Sequence, residues 1–312
     1  MKHRDTLEKD GKPGPTVSVV MPLYNRVSTV RQAVDSVLEQ NFVDFELIIV
    51  DDGSTDGSPE VVAAFDDSRI RLVRLGANRG GNAARNEGIR QARGRIISFL
   101  DSDDAFLPNK LQTVVDAFDS QPGLGGLVDS FRKLYPDGRS KDCRNPAIRQ
   151  RDALLTALFD RRLWKSTPSI SVTPEAAAAA GYFDEQLKRR QDYDFLIRLI
   201  RSADVMSIGD ITWLKTKSAD AISADLSAFM PAFTAFWDRH PDYATERHFR
   251  RGFDADLARH FAKLAYRLRG RQMLADGKVV ARRIGLTGLM RSIAAGVSEL
   301  GRLALHRRGM DD

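Results

Sequence analysis

Cysteine is nearly missing from this 312-residue chain: Cys143 is the only one. That excludes an intramolecular disulfide framework and a thiolate metal cluster, and it fits a reducing compartment. Histidine is almost as scarce, with none between His3 and His240, so a His-bound catalytic zinc has no ligands in that stretch. There is no HExxH pair, no Walker-type phosphate loop and no Gly-rich dinucleotide fingerprint, which removes metalloprotease, ATPase and dehydrogenase readings. No run approaches the roughly 20 apolar residues needed to span a bilayer. Residues 1–16 are charged and rich in Gly and Pro without an apolar stretch, and they read as a flexible leader, not a secretory signal. The expectation is a cytoplasmic protein, with peripheral contact at the inner face of a membrane as a further option.

What is present is an ordinary folded composition, 42% apolar and 29% charged. The net charge of +6 is unevenly placed. From Pro241 onward there are 15 Lys and Arg against 8 Asp and Glu, or +7, which leaves 33 against 34, or −1, before it. The basicity belongs to the tail, where it suits an anionic partner or a solvated helical face.

Hydrophobic patterning predicts alternating strands and helices. Val17–Met21 is a compact apolar strand, Pro22-Leu-Tyr-Asn25 a turn, and Ser28 the N-cap of a helix carrying Val30, Val34, Val37 and Leu38 on one face. Strands follow at 46–50, 70–75 and 96–100, with helices from Ser58, across 83–92 and from Pro108 to Phe118. Gly123–Leu134 reads as extended chain ending in a turn at Tyr135–Gly138. Beyond it, helices are expected at 149–160 and 191–201 and strands at Ile170–Val172 and Val205–Leu214. This alternation implies an α/β protein with a mostly parallel sheet flanked by helices. The division expected is a leader at 1–16, a catalytic domain at 17–224 and a basic helical segment at 225–312.

Three acidic sites follow in order: Asp51-Asp52-Gly-Ser-Thr-Asp56 after one predicted strand, Asp101-Ser-Asp103-Asp104 after another, and Gln191-Asp192-Tyr-Asp194 much later. Ligands of open α/β sheets bind beyond such strand ends. Clustered carboxylates repel one another and resist desolvation, so a cation or a hydrogen-bond donor must compensate them. Asp and Ser also cap helices and close turns, which is the plain alternative for the first site. An EF-hand starting at Asp52 fails, because its twelfth position is Ala63. A carboxylate there is suited to accept the N–H of a pyrimidine base, and the alternating acids of the second site suit a hard divalent cation. Asp192 has its own plain alternative as the N-cap of a helix bearing Phe195, Leu196 and Leu199. Asp194 is expected to support it or to face solvent.

These segments resemble the inverting, nucleotide-sugar-dependent glycosyltransferases of family 2, which have the GT-A fold. The likeness rests on Val17-Ser-Val-Val-Met-Pro-Leu-Tyr-Asn25, the two acidic turns, Asn78-Arg-Gly-Gly-Asn-Ala-Ala-Arg-Asn86, and Gly181-Tyr-Phe-Asp-Glu185 followed by Gln191-Asp-Tyr-Asp194. The resemblance implies a Rossmann-like mixed sheet and transfer of a sugar from a UDP- or dTDP-linked donor to a hydroxyl of a glycan, glycolipid or polysaccharide intermediate. It implies that Pro22, Tyr24, Asn25 and Asp52 line the nucleoside pocket, that Arg79 and Arg85 help the diphosphate or base, and that Asp101 and Ser102 lie on the donor side. Asp103 would contact Mg or Mn and Asp192 would be the catalytic base. Where many members carry a basic residue and then His near the diphosphate, this chain has Lys215-Thr-Lys217, so a weak metal dependence is among the expectations.

In the tail, Leu286, Met290, Ile293, Val297, Leu300 and Ala304 form an apolar stripe at helical spacing, opposite Arg291, Ser298 and Arg302. It suits core packing, a homodimer or a lipid surface; nucleic acid is not expected. Two other classes stay open for the whole chain: a catalytically silent sugar-nucleotide or glycan-binding subunit, and a nucleotidyltransferase.

Overall fold

The computed structural model describes residues 14–216, 227–246, 249–267 and 269–308, with side chains as far as 297. Lys217, in the run that replaces the basic residue and His of many family members, and the boundary drawn at 224 lie outside the described residues, as do most of the leader and the side chains of Ser298, Leu300, Arg302 and Ala304. The described residues fall into two compact units: one runs to 154 and resumes at 163–216, and the other combines 155–162 with 227–308.

The first unit is built on a nine-stranded mixed sheet. Its parallel half is β1 (Val17–Leu23), β2 (Phe45–Asp51), β3 (Ile70–Arg74) and β4 (Ile96–Phe99), ordered β3-β2-β1-β4. All seven residues of β2 are buried, as expected of a parallel strand covered on both faces. β5 (Ala105–Phe106) pairs at the far edge, β6 (Gly126–Leu134) carries a short partner β7 (Ser140–Cys143), and β8 (Ile170–Val172) runs antiparallel between β4 and β6. β9 (Val205–Thr216) lies parallel to β6 and antiparallel to β5.

Helices α1 (Val30–Leu38), α2 (Ser58–Ala63), α3 (Gly81–Gln91) and α4 (Lys110–Ser120) connect the early strands. Helix α1 buries Val30, Val34 and Val37 as read from the sequence, and Ala33 with them, while Leu38 is only partly buried. Each of the three valines removed from water contributes about 1.5–3 kcal/mol. Ser28 is not its N-cap. Thr29 holds that position without a side-chain capping bond, and its hydroxyl donates to the Ser102 carbonyl at 2.9 Å. Further on come α5 (Arg151–Phe159), α6 (Pro174–Ala179) and α7 (Gln191–Ser202).

A buried carboxylate knits the strands at the end remote from the acidic turns. Glu46 accepts from the Ser18 hydroxyl at 2.7 Å, the Arg93 backbone N–H at 2.8 Å and the Arg71 and Arg93 guanidinium groups at 2.9 and 2.8 Å. Burial opposes its ionisation, but those donors outweigh burial and hold its carboxyl below the ordinary value.

The second unit contains α8 (Phe229–Arg239), α9 (Asp242–Thr245), α10 (Arg250–Tyr266) and α11 (Gly270–Arg308). Phe159 stacks on Phe249 at 4.1 Å and lies 5.2 Å from Tyr243, whose hydroxyl donates to Asp256 at 2.6 Å. Helix α11 is two segments meeting at Gly285, where φ 75° and ψ 161° are not helical. The second segment packs on α10 through Ser292, whose hydroxyl accepts from Arg250 at 2.8 Å, and through Gly296, and Leu289 is buried on the same segment. A Cβ at Gly296 would lie 2.0 Å from the Asp254 carbonyl oxygen, so only glycine permits that approach. Of the described members of the apolar stripe, Ile293 is partly buried, whereas Leu286, Met290 and Val297 do not pack here and are 68%, 60% and 60% exposed.

Candidate active site

The register of the parallel strands aligns the ends that carry the acids. Leu23 sits opposite Asp51, and Val20 opposite Phe99, so the chain leaves β1, β2 and β4 on one side of the sheet. A cavity of about 540 Å³ lined by Arg149, Asp152, Ile200 and Asp204 opens where β9 begins, at the opposite end, and holds none of the candidate residues.

Beyond β1, Pro22 is partly buried and Tyr24 is 43% exposed. Asn25 adopts φ 50°, a left-handed conformation that Asn tolerates better than most residues. Its N–H donates to the Ser54 hydroxyl at 3.0 Å, and its side-chain oxygen accepts the Thr55 N–H at 2.8 Å. The turn after β1 is thereby clamped to the loop after β2. Gly53 makes the next approach: at φ 79° its missing Cβ would lie 2.9 Å from the Ala77 carbonyl carbon.

Asp52 is buried and accepts the Arg79 N–H at 2.7 Å on one oxygen and the Gly80 N–H at 2.8 Å on the other. It holds the Gly-rich turn that opens α3. One lone pair stays available on each oxygen, which is enough for a base N–H. The Arg79 side chain points outward, half exposed, 3.5 Å from Glu185. Arg85, one turn into α3, is buried and donates to Asp101 at 2.6 Å and to Asn82 at 3.3 Å. Its guanidinium braces the acidic turn.

The same helix anchors the approach to α7. Asn82 donates to the Asp184 and Leu187 carbonyls at 2.7 and 2.8 Å, and Asn86 exchanges hydrogen bonds with the Phe183 backbone at 2.8 and 2.9 Å. From there the chain reaches Arg190, at φ 64°, which holds the N-cap position of α7. Asp192 lies inside the first turn and is not the N-cap, although the helix dipole still favours its charge. Asp194 does not face solvent. It is fully buried and accepts from the Arg198 Nε at 3.1 Å, one turn along the same helix.

The acidic turn is closed by an element absent from the sequence reading. β5 pairs Ala105 with Leu214 and Phe106 with Trp213, and this places Asp104 beside the end of β9. Asp104 accepts the Thr216 N–H at 2.9 Å, and the Lys215 ammonium lies 3.9 Å from its other oxygen. That second oxygen is buried without a hydrogen-bond partner. Burial pushes the Asp104 carboxyl up to about 8, with Lys215 opposing and Asp101 and Asp103 adding to the rise. Burial, followed by the Asp101 charge, also raises the Asp103 carboxyl, against Arg26 and Lys215. Burial disfavours the Lys215 charge, but Asp104, Asp101, Asp192 and Asp103 together outweigh it and raise its pKa. One ammonium thus feels carboxylates from both the acidic turn and α7. Ser102 is buried beside them, its carbonyl held by Thr29. Lys215, Asp104 and Arg26 were missed as site residues; the signal available was that Lys215 and Asp104 each adjoin a predicted strand or acidic motif.

Among the described residues no three His, Cys, Asp or Glu side chains converge as a metal cage. The donor chemistry still suits a hard cation such as Mg or Mn. Asp103 offers a carboxylate whose ionisation a cation would favour, and the remaining coordination would have to come from a bound molecule or water.

A family model described as glycosyl transferase family 2 matches residues 18–164. Those residues are a family 2 glycosyltransferase domain. The succinoglycan biosynthesis protein ExoO of Rhizobium meliloti (strain 1021) is 43% identical over 126 residues, covering 40% of this chain and 36% of that protein. The UDP-Glc:alpha-D-GlcNAc-diphosphoundecaprenol beta-1,3-glucosyltransferase WfgD of Escherichia coli is 43% identical over 96 residues, 31% of this chain and 38% of WfgD. The chain thus spans less than two fifths of either relative's length. Two solved structures share the fold of the family 2 domain and its surroundings. TarS 1-349 of S. aureus, in complex with UDP-GlcNAc, superposes with a TM-score of 0.61 at 17% identity, over 91% of this chain and 89% of that one. The mannosyltransferase PcManGT from Pyrobaculum calidifontis, in complex with GDP-Man and Mn2+, gives 0.58 at 19% identity, over 92% and 87%. The architecture is the GT-A fold expected from the sequence: a mixed sheet flanked by helices, with a C-terminal helical segment.

Proposed function

We propose that this chain is an inverting glycosyltransferase of polysaccharide biosynthesis, taking a sugar from a UDP- or dTDP-linked donor to a hydroxyl of a glycan or lipid-linked intermediate. The observation that carries the reading is the hydrogen bonding of α3, which braces the acidic turn through Arg85 and Asp101 at 2.6 Å and holds the chain leading into α7 through Asn82 and the Leu187 carbonyl at 2.8 Å. A base and a charged donor site on one cleft are what a single displacement needs.

In this reading Asp52 accepts the base N–H on its remaining lone pairs, while Pro22 and Tyr24 border the nucleoside. Asp192 takes the proton from the acceptor hydroxyl as that oxygen attacks the anomeric carbon from the face opposite the leaving group, which inverts the centre. A divalent ion at Asp103 would supply charge neutralisation for the departing nucleoside diphosphate. Arg85 keeps Asp101 in place, and Lys215 limits the repulsion among the acids.

The test is a panel of sugar nucleotides with the full chain, followed by two variants. Asp192→Asn should keep UDP binding and lose about 10²- to 10⁴-fold in transfer, the usual worth of a general base. Asp103→Ala should weaken donor use. Transfer by Asp192→Asn equal to that of the unaltered protein refutes the assignment.

The acceptor end of the proposal includes an anionic lipid surface. No helix among the described residues is long and apolar enough to cross a membrane, but the exposed row Leu286, Met290 and Val297 is accompanied by exposed Lys278, Arg282 and Arg291. Exposed apolar side chains on a basic helical segment suit a bilayer of anionic lipid. Leu286→Glu with Met290→Glu should abolish flotation with vesicles containing phosphatidylglycerol. Unchanged flotation, or a dimer that the same changes dissociate, overturns the lipid assignment.

A further inference from the structure

Each of the three carboxylates of the acidic turn faces a cation belonging to the chain itself. Arg85 donates to Asp101 at 2.6 Å, Lys215 stands 3.9 Å from Asp104, and the Arg26 Nε stands 3.9 Å from Asp103. The three pairs differ. The Arg85 side chain is 8% exposed and in direct contact, and Asp104 has the Thr216 N–H as well. Arg26 is beyond hydrogen-bond reach of Asp103, and both side chains are partly open to solvent, at 35% and 26%.

The backbone beneath Arg26 is fixed. Its N–H donates to the Ser58 hydroxyl at 2.7 Å, and three residues on, the Thr29 hydroxyl reaches the Ser102 carbonyl at 2.9 Å. The guanidinium itself is held by one bond, from Nη1 to the Asn25 carbonyl at 3.0 Å. The base of the side chain is therefore tied to the acidic turn while its charged end can exchange partners.

We propose that Arg26 is a built-in stand-in for the divalent cation at Asp103. It neutralises the carboxylate while the donor is absent, yields it when the metal and diphosphate enter, and turns its guanidinium to a diphosphate oxygen. This rests on the reading of Asp103 as the metal-contacting residue. A guanidinium and a divalent ion a few ångströms apart repel, so both cannot hold one carboxylate edge without cost. A guanidinium also matches phosphate oxygens in a way an isolated ammonium does not.

The consequence is a pair of effects with opposite signs. Without nucleotide, Arg26→Met should bind Mn2+ more tightly, on the order of tenfold, because a nearby positive charge is gone. At saturating Mn2+ the same variant should bind UDP more weakly, again on the order of tenfold, for loss of a charged hydrogen bond. A merely structural role would weaken both. Arg26→Lys, which keeps the charge but not the fork, should restore the Mn2+ affinity and recover UDP binding only in part.

The experiment is a Mn2+ titration of the full chain followed by electron paramagnetic resonance of the free ion, then UDP calorimetry at saturating Mn2+. Mn2+ binding by Arg26→Met that equals or falls below that of the unaltered protein overturns the proposal. Asp103→Asn runs in parallel to separate the two layers. If it loses Mn2+ while Arg26→Met gains none, the competition alone is wrong; if it binds Mn2+ normally, the metal reading beneath it is wrong.

Discussion

Replacing Arg85 with Met tests whether this arginine serves the acidic turn or the donor. The pair it forms with Asp101 is short, 2.6 Å, with side-chain exposures of 8% and 24%. Two unit charges centred ~4 Å apart interact by about 4 kcal/mol at an effective dielectric near 20. The partial exposure of Asp101 leaves roughly half of that after screening. Removing one partner of a buried pair also strands the other, a loss that reaches about 3–5 kcal/mol when burial is complete. Arg85→Met should therefore cost about 2–4 kcal/mol, or a melting point lower by roughly 5–15 °C for a unit of this size. The assay is a double-mutant cycle in urea with Asp101→Asn, read at pH 7, together with UDP binding by each variant. A coupling of about 2 kcal/mol is expected, because the second change removes the charge that the first leaves unpaired. Coupling below about 0.5 kcal/mol, with UDP affinity lost in Arg85→Met alone, would show that the guanidinium spends its charge on the ligand.

Two further outcomes concern the frame around the site. Glu46 is held below its ordinary value, so its contribution to stability is present above the unfolded carboxyl's pKa and is lost as pH falls through the lower, folded one. Glu46→Gln should accordingly flatten the decline in melting temperature below about pH 4.5, and cost about 1–3 kcal/mol at pH 7 by leaving Arg71 and Arg93 short of an acceptor; an unchanged acid limb refutes the assignment. In the helical unit, a side chain at Gly296 meets the Asp254 carbonyl oxygen 2.0 Å away, so Gly296→Val should cost about 3 kcal/mol, the upper end of the usual range for overpacking, whereas Gly270→Ala, where a Cβ meets nothing within 4 Å, should not. Equal melting curves for the two would show that α10 and α11 do not pack this closely.

The parallel half of the sheet was readable because its signals are local. β2 is a run of apolar residues ending in Asp51, and α1 repeats its apolar positions at helical spacing, so strand, helix and acidic end all lie within one window of sequence. The acids could be placed beyond strand ends for the same reason. What could not be read depended on pairing between distant residues. β5 is two residues long, too short to show any period, yet it decides that Lys215 stands beside Asp104. Ser28 looked like a cap because capping is judged from neighbours, whereas Thr29 spends its hydroxyl on Ser102, 73 positions away. Arg85 carries no mark in the sequence that tells a brace for Asp101 from a donor contact. The tail misled in one respect: its apolar stripe was legible, but Ser292 and Gly296 make the contact with α10, because a small residue and a hydroxyl let two helices approach more closely than leucines do.

The break at Gly285 gives the tail an unusual genetic fragility. Its φ and ψ of 75° and 161° lie where essentially only glycine is found, and every glycine codon is one base away from an alanine codon. A single methyl group there would favour one continuous rod, which would swing the direction in which Leu286, Met290 and Val297 point without altering any of them. The heading of that greasy ridge is thus written in a residue that has no side chain at all.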